Sequence, residues 1–220
     1  MRFIQHYSGS AGNLYQVQSP MGRLLIDPGV TFSKLCKALG HNFNGIQGCL
    51  VSHDHKDHCK AADDVAEYGI DLFDFSNLRM KQINQVGSFD VIPFPTIHID
   101  RSMGFIVRQG TEALLFVTDT KNITQRFNVQ FTTIAIECSY DRVKADALFA
   151  AGKINKFYRE QRLTQHLEIN DTKRYLREFC DLSQCRELHL LHMSKTLGDK
   201  ESVRQEFETE FLINTFISGV

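Results

Sequence analysis

Short apolar runs separated by turn residues dominate the chain, and their spacing predicts alternating strands and helices. Residues 3–7, 14–17 and 23–26 are apolar enough for strands, and they are joined through Ser8-Gly9-Ser10-Ala11-Gly12-Asn13 and Pro20-Met21-Gly22, which predicts a β-meander at the start. Residues 31–39 carry Leu35, Ala38 and Leu39 on one helical face, with Gly40 closing the helix. The run 46–51 ends in a polar loop, after which Cys59, Ala62, Val65 and Ala66 repeat at helical spacing. Further strands are predicted over 69–75, 88–93, 104–108, 114–119 and 133–138. A helix over 142–150 is expected to turn Val143, Ala147 and Ala150 inward, with Gly152 ending it. The pattern then gives a helix over 171–180, a buried strand over 187–191, a charged surface helix over 199–210 and a short terminal strand over 211–217.

At 220 residues and 42% hydrophobic content the chain is long enough to bury a full core, and a single domain over residues 1–220 is expected. A formal net charge of −1 argues against a generally cationic nucleic-acid binder but leaves room for a local basic groove. The six cysteines show no Cys-x-x-Cys pair, and Cys49 and Cys138 lie inside apolar runs, so they read as buried residues in a reducing compartment. Cys59 follows a histidine and reads as a packing residue. The first ten residues lack a signal-peptide core and no apolar run reaches membrane-spanning length, so a cytosolic protein is expected.

The densest chemistry is in Leu50-Val51-Ser52-His53-Asp54-His55-Lys56-Asp57-His58-Cys59-Lys60. In an extended loop, residues two apart point the same way, so His53 and His55 can present ring nitrogens to one cation. Asp57 and His58 open the following helical segment and can face a second. Imidazole and carboxylate donors suit zinc, manganese or iron. Asp27 closes the run 24–26, where an aspartate reads by itself as an ordinary strand-end turn residue. Two other stretches are open to two readings. The glycine-rich turn with Ser10 and Asn13 either cradles a phosphate on its backbone N–H groups or is a tight turn needing positive φ. The basic run 153–162, with Lys153, Lys156 and Arg159 beside Phe157 and Tyr158, either tracks a phosphate backbone and stacks a base or is a solvated linker.

His-x-His-x-Asp-His after a buried strand resembles the metallo-β-lactamase superfamily, and further stretches in order extend the likeness: His98 in Pro95-Thr96-Ile97-His98, Asp119 at the end of Leu114-Leu115-Phe116-Val117-Thr118-Asp119, and His192 in Leu191-His192-Met193-Ser194. With Glu137-Cys138-Ser139-Tyr140-Asp141 and the stretch from Thr164 to Asn170, the chain looks like the YycJ-type branch and its compact phage-encoded relatives. Tyr140 stands where that branch has His, Gln165 replaces Gly, and Glu168-Ile169 interrupts its Leu-Ser-Asn. The resemblance implies an α+β fold, a four-layer αβ/βα sandwich of two mixed β-sheets flanked by helices. It also implies two divalent ions, one held by His53, His55 and His98, the other by Asp57, His58 and His192, with Asp119 bridging. The implied activity is phosphodiester hydrolysis on DNA or RNA by a metal-bridging hydroxide, with Asp57 and His166 in the catalytic set and His166 as proton donor. For His166 a capping or packing role is the alternative. The resemblance also implies that Asp27 orients the metal-binding loop through hydrogen bonds without ligating, which fits the need of ligating histidines for a partner on their other nitrogen. The rival activities are hydrolysis of small cyclic nucleotides, for which a dimer closing the pocket would be the mark, nucleic-acid binding without catalysis, and thioester hydrolysis. A β-lactamase proper is disfavoured by the lack of a signal peptide.

Overall fold

The structure is a computed structural model that describes residues 1–99 and 101–218; Asp100, Gly219 and Val220 lie outside the described residues. The chain forms two compact units, one of Met1–Pro95 with Arg101–Ala113, the other of Thr96–Asp100 with Leu114–Val220.

The first unit opens as the meander that the turn residues predict. Strand β1 (Arg2–Tyr7) pairs antiparallel with β2 (Leu14–Ser19), and β2 with β3 (Gly22–Ile26). The chain then crosses over through α1 (Phe32–Ala38), capped by the Thr31 side chain, so that β4 (Ile46–Leu50) runs parallel to β3. A second crossover, through α2 (Lys56–Cys59) and α3 (Ala62–Glu67), brings β5 (Leu72–Phe73) parallel to β4. Parallel pairing requires such crossovers because the chain has to return to the same end of the sheet. Leu14, Leu25, Leu35, Cys49, Ala61 and Val65 form the core under these crossovers, each buried leucine or valine contributing about 1.5–3 kcal/mol. Strands β6 (Asn84–Val86), β7 (Phe89–Pro95) and β8 (Met103–Gln109) follow as an antiparallel set.

The second unit is built on parallel strands. Strand β9 (Glu112–Val117, from Leu114 on in this unit) pairs with β10 (Thr133–Glu137), β10 with β11 (Glu187–Leu191), and β11 with β12 (Asn214–Ile217), all parallel. All five residues of β10 are buried, which is why parallel strands read as unbroken apolar runs. Helices α4 (Arg142–Ala150), α5 (Lys156–Gln165) and α6 (Ile169–Phe179) lie between β10 and β11 in the chain, and α7 (Lys200–Phe211) between β11 and β12. The strands fall into two mixed sheets, one of five in the order β1-β2-β3-β4-β5 and one of seven in the order β12-β11-β10-β9-β8-β7-β6, with helices flanking them. This is the expected α+β class.

The pattern erred in five places. The strand expected over 69–75 shrinks to Leu72–Phe73, and β6 was not foreseen. The run 153–162 is largely helix, not linker, because Asn155 caps α5 by accepting from the Tyr158 N–H. Helix α6 starts at Ile169, ahead of the expected 171, because the Glu168 carboxylate accepts from the Asn170 and Asp171 N–H groups. In α4, Val143 is 77% exposed and Ala145 is the buried residue, packing with Tyr140 and Leu197, so the inward face is offset from the one expected. No helix among the described residues is long and apolar enough to cross a membrane.

All six cysteines are free. Burial pushes the Cys49 and Cys138 thiols far above the ordinary range, so neither forms the reactive thiolate at neutral pH. Iodoacetamide at pH 7.5 should therefore leave both unlabelled in the folded protein and label them in denaturant, as read by peptide mass spectrometry; labelling of folded Cys138 at the rate of a free thiol would contradict the placement.

Candidate metal centre

In the first unit the chemistry gathers where β4 ends. Asp27, just past β3, is fully buried; its Oδ1 accepts from the Ser52 N–H at 2.7 Å, and its Oδ2 from the Ser52 hydroxyl at 2.9 Å and from His58 Nδ1 at 2.8 Å. Since Ser52 donates its only hydroxyl proton to Asp27, its oxygen is left to accept from His53 Nδ1 at 3.0 Å. The proton of His53 is thereby on Nδ1, and its Nε2 lone pair points to His55 Nδ1, 3.1 Å away. Two ligand nitrogens on one tetrahedral ion at about 2.05 Å lie about 3.3 Å apart, so this pair already has ligand spacing. Asp57, half-buried, places Oδ2 3.7 Å from His58 Nε2.

Asn13 is not on an exposed phosphate-binding turn, as one reading of that stretch held. It is fully buried, because its Oδ1 accepts from the Gly9 N–H at 2.8 Å and the Tyr15 hydroxyl at 2.9 Å, and this fixes which way the amide faces. Its Nδ2 then donates to the Asp57 carbonyl and lies 3.0 Å from His58 Nε2. With Nδ1 donating to Asp27, His58 Nε2 accepts from Asn13, and an ion taking that lone pair has to displace the Asn13 contact. Ser10 is exposed. The loop is also fixed from below by Gly29. A Cβ at this position would sit 1.7 Å from the Asp57 carbonyl oxygen. Gly29→Ala is therefore expected to cost about 3 kcal/mol and to lower metal affinity together with stability, measured by urea unfolding and metal titration; a variant as stable as the parent with unchanged metal affinity would contradict the contact.

In the second unit the parallel register assembles the site. Val117 pairs with Ile136 and Glu137 with Leu191, so Asp119, Glu137 and His192 come to the carboxyl ends of three adjacent strands. Asp119 (φ 41°) and His192 (φ 55°) sit in the left-handed region, as does Asp27 (φ 53°) in the first unit, each turning the chain sharply as it leaves a strand. One donor atom each from Asp119, Glu137, His166 and His192 lie within 4.8 Å of one another, all four residues being buried. His166, expected in a loop, is the C-cap of α5, and its Nδ1 is 2.7 Å from Glu137 Oε1. His192 Nδ1 lies 3.5 Å from Asp119 Oδ1 and 3.6 Å from Glu137 Oε1, and its ring stacks on that of His166 at 5.0 Å. His98 places Nε2 3.8 Å from Asp119 Oδ2 and Nδ1 3.3 Å from the Gln165 carbonyl.

Glu137 is the residue that motif reading quoted but gave no role. Burial pushes its carboxyl up, but the charge and hydrogen bond of His166, with the His192 ring close by, outweigh this and hold it below the ordinary carboxylate range. Its Oε2 also accepts from the Thr120 N–H at 2.7 Å. An ionised Glu137 accepts only, so His166 carries its proton on Nδ1 and offers Nε2 for chemistry. The sequence carried two signals for it: its place in the stretch 137–141 that the resemblance rests on, and a glutamate closing a run otherwise apolar enough to be buried. Of the basic candidates, Lys153 and Lys156 are exposed, and Arg159 donates from both Nε and Nη2 to the single oxygen Asp146 Oδ1, at 2.8 and 2.6 Å, and lies over the Phe149 ring. Arg159 is thus committed to a surface ion pair, and its expected role as a substrate contact is not what the structure gives it.

The donor sets in both units suit a divalent cation: two imidazoles at ligand spacing in one, and two imidazoles with two carboxylates in the other. Together with the sheet order, they define an α+β protein with metal-ligand chemistry at its strand ends. Among solved structures the chain is similar to the metallo-β-lactamase fold protein YhfI from Bacillus subtilis, with a TM-score of 0.70 and 16% identity over 98% of this chain and 95% of that one. It is similar to zinc-bound PqqB from Methylobacterium extorquens, with a TM-score of 0.67 and 10% identity over 99% and 97%. A diphosphatase from the PhnP family gives a TM-score of 0.62 and 13% identity over 98% and 94%. No family model matches the chain, and no curated protein matches it. The fold is therefore the metallo-β-lactamase fold.

Proposed function

We propose that the chain is a metal-dependent hydrolase that cleaves phosphodiesters in nucleic acid. The observation that carries this reading is the buried set Asp119, Glu137, His166 and His192. Two carboxylates and two imidazoles out of water are costly unless a cation or a proton network repays the desolvation. In this reading His53, His55, Asp57, His58, His98, Asp119 and His192 hold two divalent ions of zinc, manganese or iron, an assignment that rests on the order of the motifs along the chain. Bound there, the ions would polarise a phosphoryl oxygen and acidify water.

The chain's own residues supply the rest. Asp27 fixes His58 by its Nδ1, and Ser52 fixes His53 in the same way. Glu137 holds His166 by its Nδ1; protonated on both nitrogens, with the Glu137 carboxylate balancing its charge, His166 would give the Nε2 proton to the departing alkoxide as the P–O bond breaks and be left as the neutral Nδ1–H imidazole. Support for phosphoryl chemistry comes from the diphosphatase of the same fold. The stretches around Glu137, His166 and His192 support the YycJ-type branch, and the 77% exposed Phe157 beside Lys156 supports a polymer that stacks bases.

The test is hydrolysis of bis(p-nitrophenyl) phosphate by manganese-loaded protein with a chelator control, followed by labelled single-stranded DNA, RNA, a cyclic dinucleotide and a thioester. Chelator-sensitive turnover with preference for a nucleic acid polymer is expected. Turnover of the thioester alone, or none with metal bound, would overturn the reading, and preference for the cyclic dinucleotide would overturn its substrate half.

A further inference from the structure

Among the described residues, Arg162 is a buried cation without a paired anion. It is 7% exposed, its Nε is buried without a hydrogen-bond partner, and no carboxylate pairs with it among the described residues. Its guanidinium lies over the Tyr158 ring, 5.3 Å from the guanidinium carbon to the centroid. A guanidinium taken out of water without a counter-charge weakens the fold, so its retention needs a reason outside the folded chain itself.

Its place on α5 supplies that reason. Tyr158, Arg162 and His166 follow at intervals of one helical turn and share a face. Tyr158 anchors one end of that face through its hydroxyl, 3.1 Å from Ser194 Oγ, and His166 anchors the other through Glu137. Both anchors stand at the carboxyl ends of β10 and β11, the edge at which ligands bind in parallel sheets. Arg162 lies between them. The same edge holds a second unpartnered group, the buried Ser139 hydroxyl, whose backbone bonds to Leu167 and Ser194.

We propose that Arg162 is the anion-binding residue of this site and takes the non-bridging oxygens of a phosphate group beside His166. The inference rests on the phosphodiesterase reading for its substrate. A guanidinium fork matches phosphate oxygens, and its stacking on Tyr158 holds the fork in place before the ligand arrives. Arg162, unlike Arg159, has no acidic partner to surrender on binding.

The test titrates inorganic phosphate into metal-loaded protein by calorimetry and compares Arg162→Met and Arg162→Lys, with metal content measured in each. Arg162→Met should weaken phosphate binding by about 10-fold or more, and Arg162→Lys should recover part of it. Metal content should be unchanged. The Met variant without phosphate should melt at or above the parent's temperature, and the rise in melting temperature that phosphate gives the parent should be lost. Equal phosphate affinity in the Met variant, no phosphate binding by the parent, or a Met variant that fails to fold while Arg162→Lys binds phosphate no better than a lysine-free surface would each overturn the proposal. If the parent does not turn over bis(p-nitrophenyl) phosphate while its phosphate binding still depends on Arg162, the phosphodiesterase reading fails and this one stands.

Discussion

Asp119→Asn is expected to lower phosphodiester turnover by about 10³-fold while leaving the protein folded, as removal of one charged group from an electrostatically organised site does. Asp119 closes the β9 edge with φ at 41°, accepts from the Thr118 hydroxyl at 3.1 Å, and lies near both His98 and His192. Asparagine tolerates the left-handed backbone and keeps one carbonyl oxygen for Thr118, so the loss is that of charge. Alanine would add backbone strain of about 1–2 kcal/mol and blur the result. The measurement is kcat/KM on bis(p-nitrophenyl) phosphate beside a denaturant curve. A variant retaining more than a tenth of the parent's activity would remove Asp119 from the site.

Asp27→Ala should fail differently, in stability and metal affinity together. Its carboxylate is the acceptor for the Ser52 N–H, the Ser52 hydroxyl and His58 Nδ1, all buried. Removing it leaves the Ser52 amide and the His58 ring proton unsatisfied, at about 1–3 kcal/mol each, and puts alanine at a φ of 53°. A loss on the order of 3 to 5 kcal/mol is expected in urea unfolding, with metal affinity down about 10–100-fold because His53 and His58 lose their orientation. Unchanged metal affinity in a destabilised variant would make Asp27 a purely architectural residue.

What the sequence could reveal followed from locality. His53, His55, Asp57 and His58 fall within one loop, so their convergence is written in their spacing. Asp119 and His192 could be singled out because each closes an apolar run, and the carboxyl ends of parallel strands collect side chains on one edge. Glu137 also closes a strand, yet its importance depends on His166 arriving from α5, a contact between residues 29 apart that no local pattern encodes. Asn13 looked like part of a glycine turn, and only the Gly9 and Tyr15 hydrogen bonds turn its amide inward to His58. The basic run 153–162 averaged to a polar surface in which Arg159 and Arg162 looked alike. One turn of helix separates them: Arg159 reaches Asp146, and Arg162 faces inward over Tyr158.

The central claim is that these donor sets exist to hold metal, and metal stoichiometry tests it most directly. Protein stripped with a chelating resin, reloaded with zinc, manganese or iron at micromolar concentration and desalted, should carry about two ions per chain by plasma mass spectrometry, and Asp119→Asn should carry fewer. A parent protein that retains none of the three metals, folded and at neutral pH, would contradict the account.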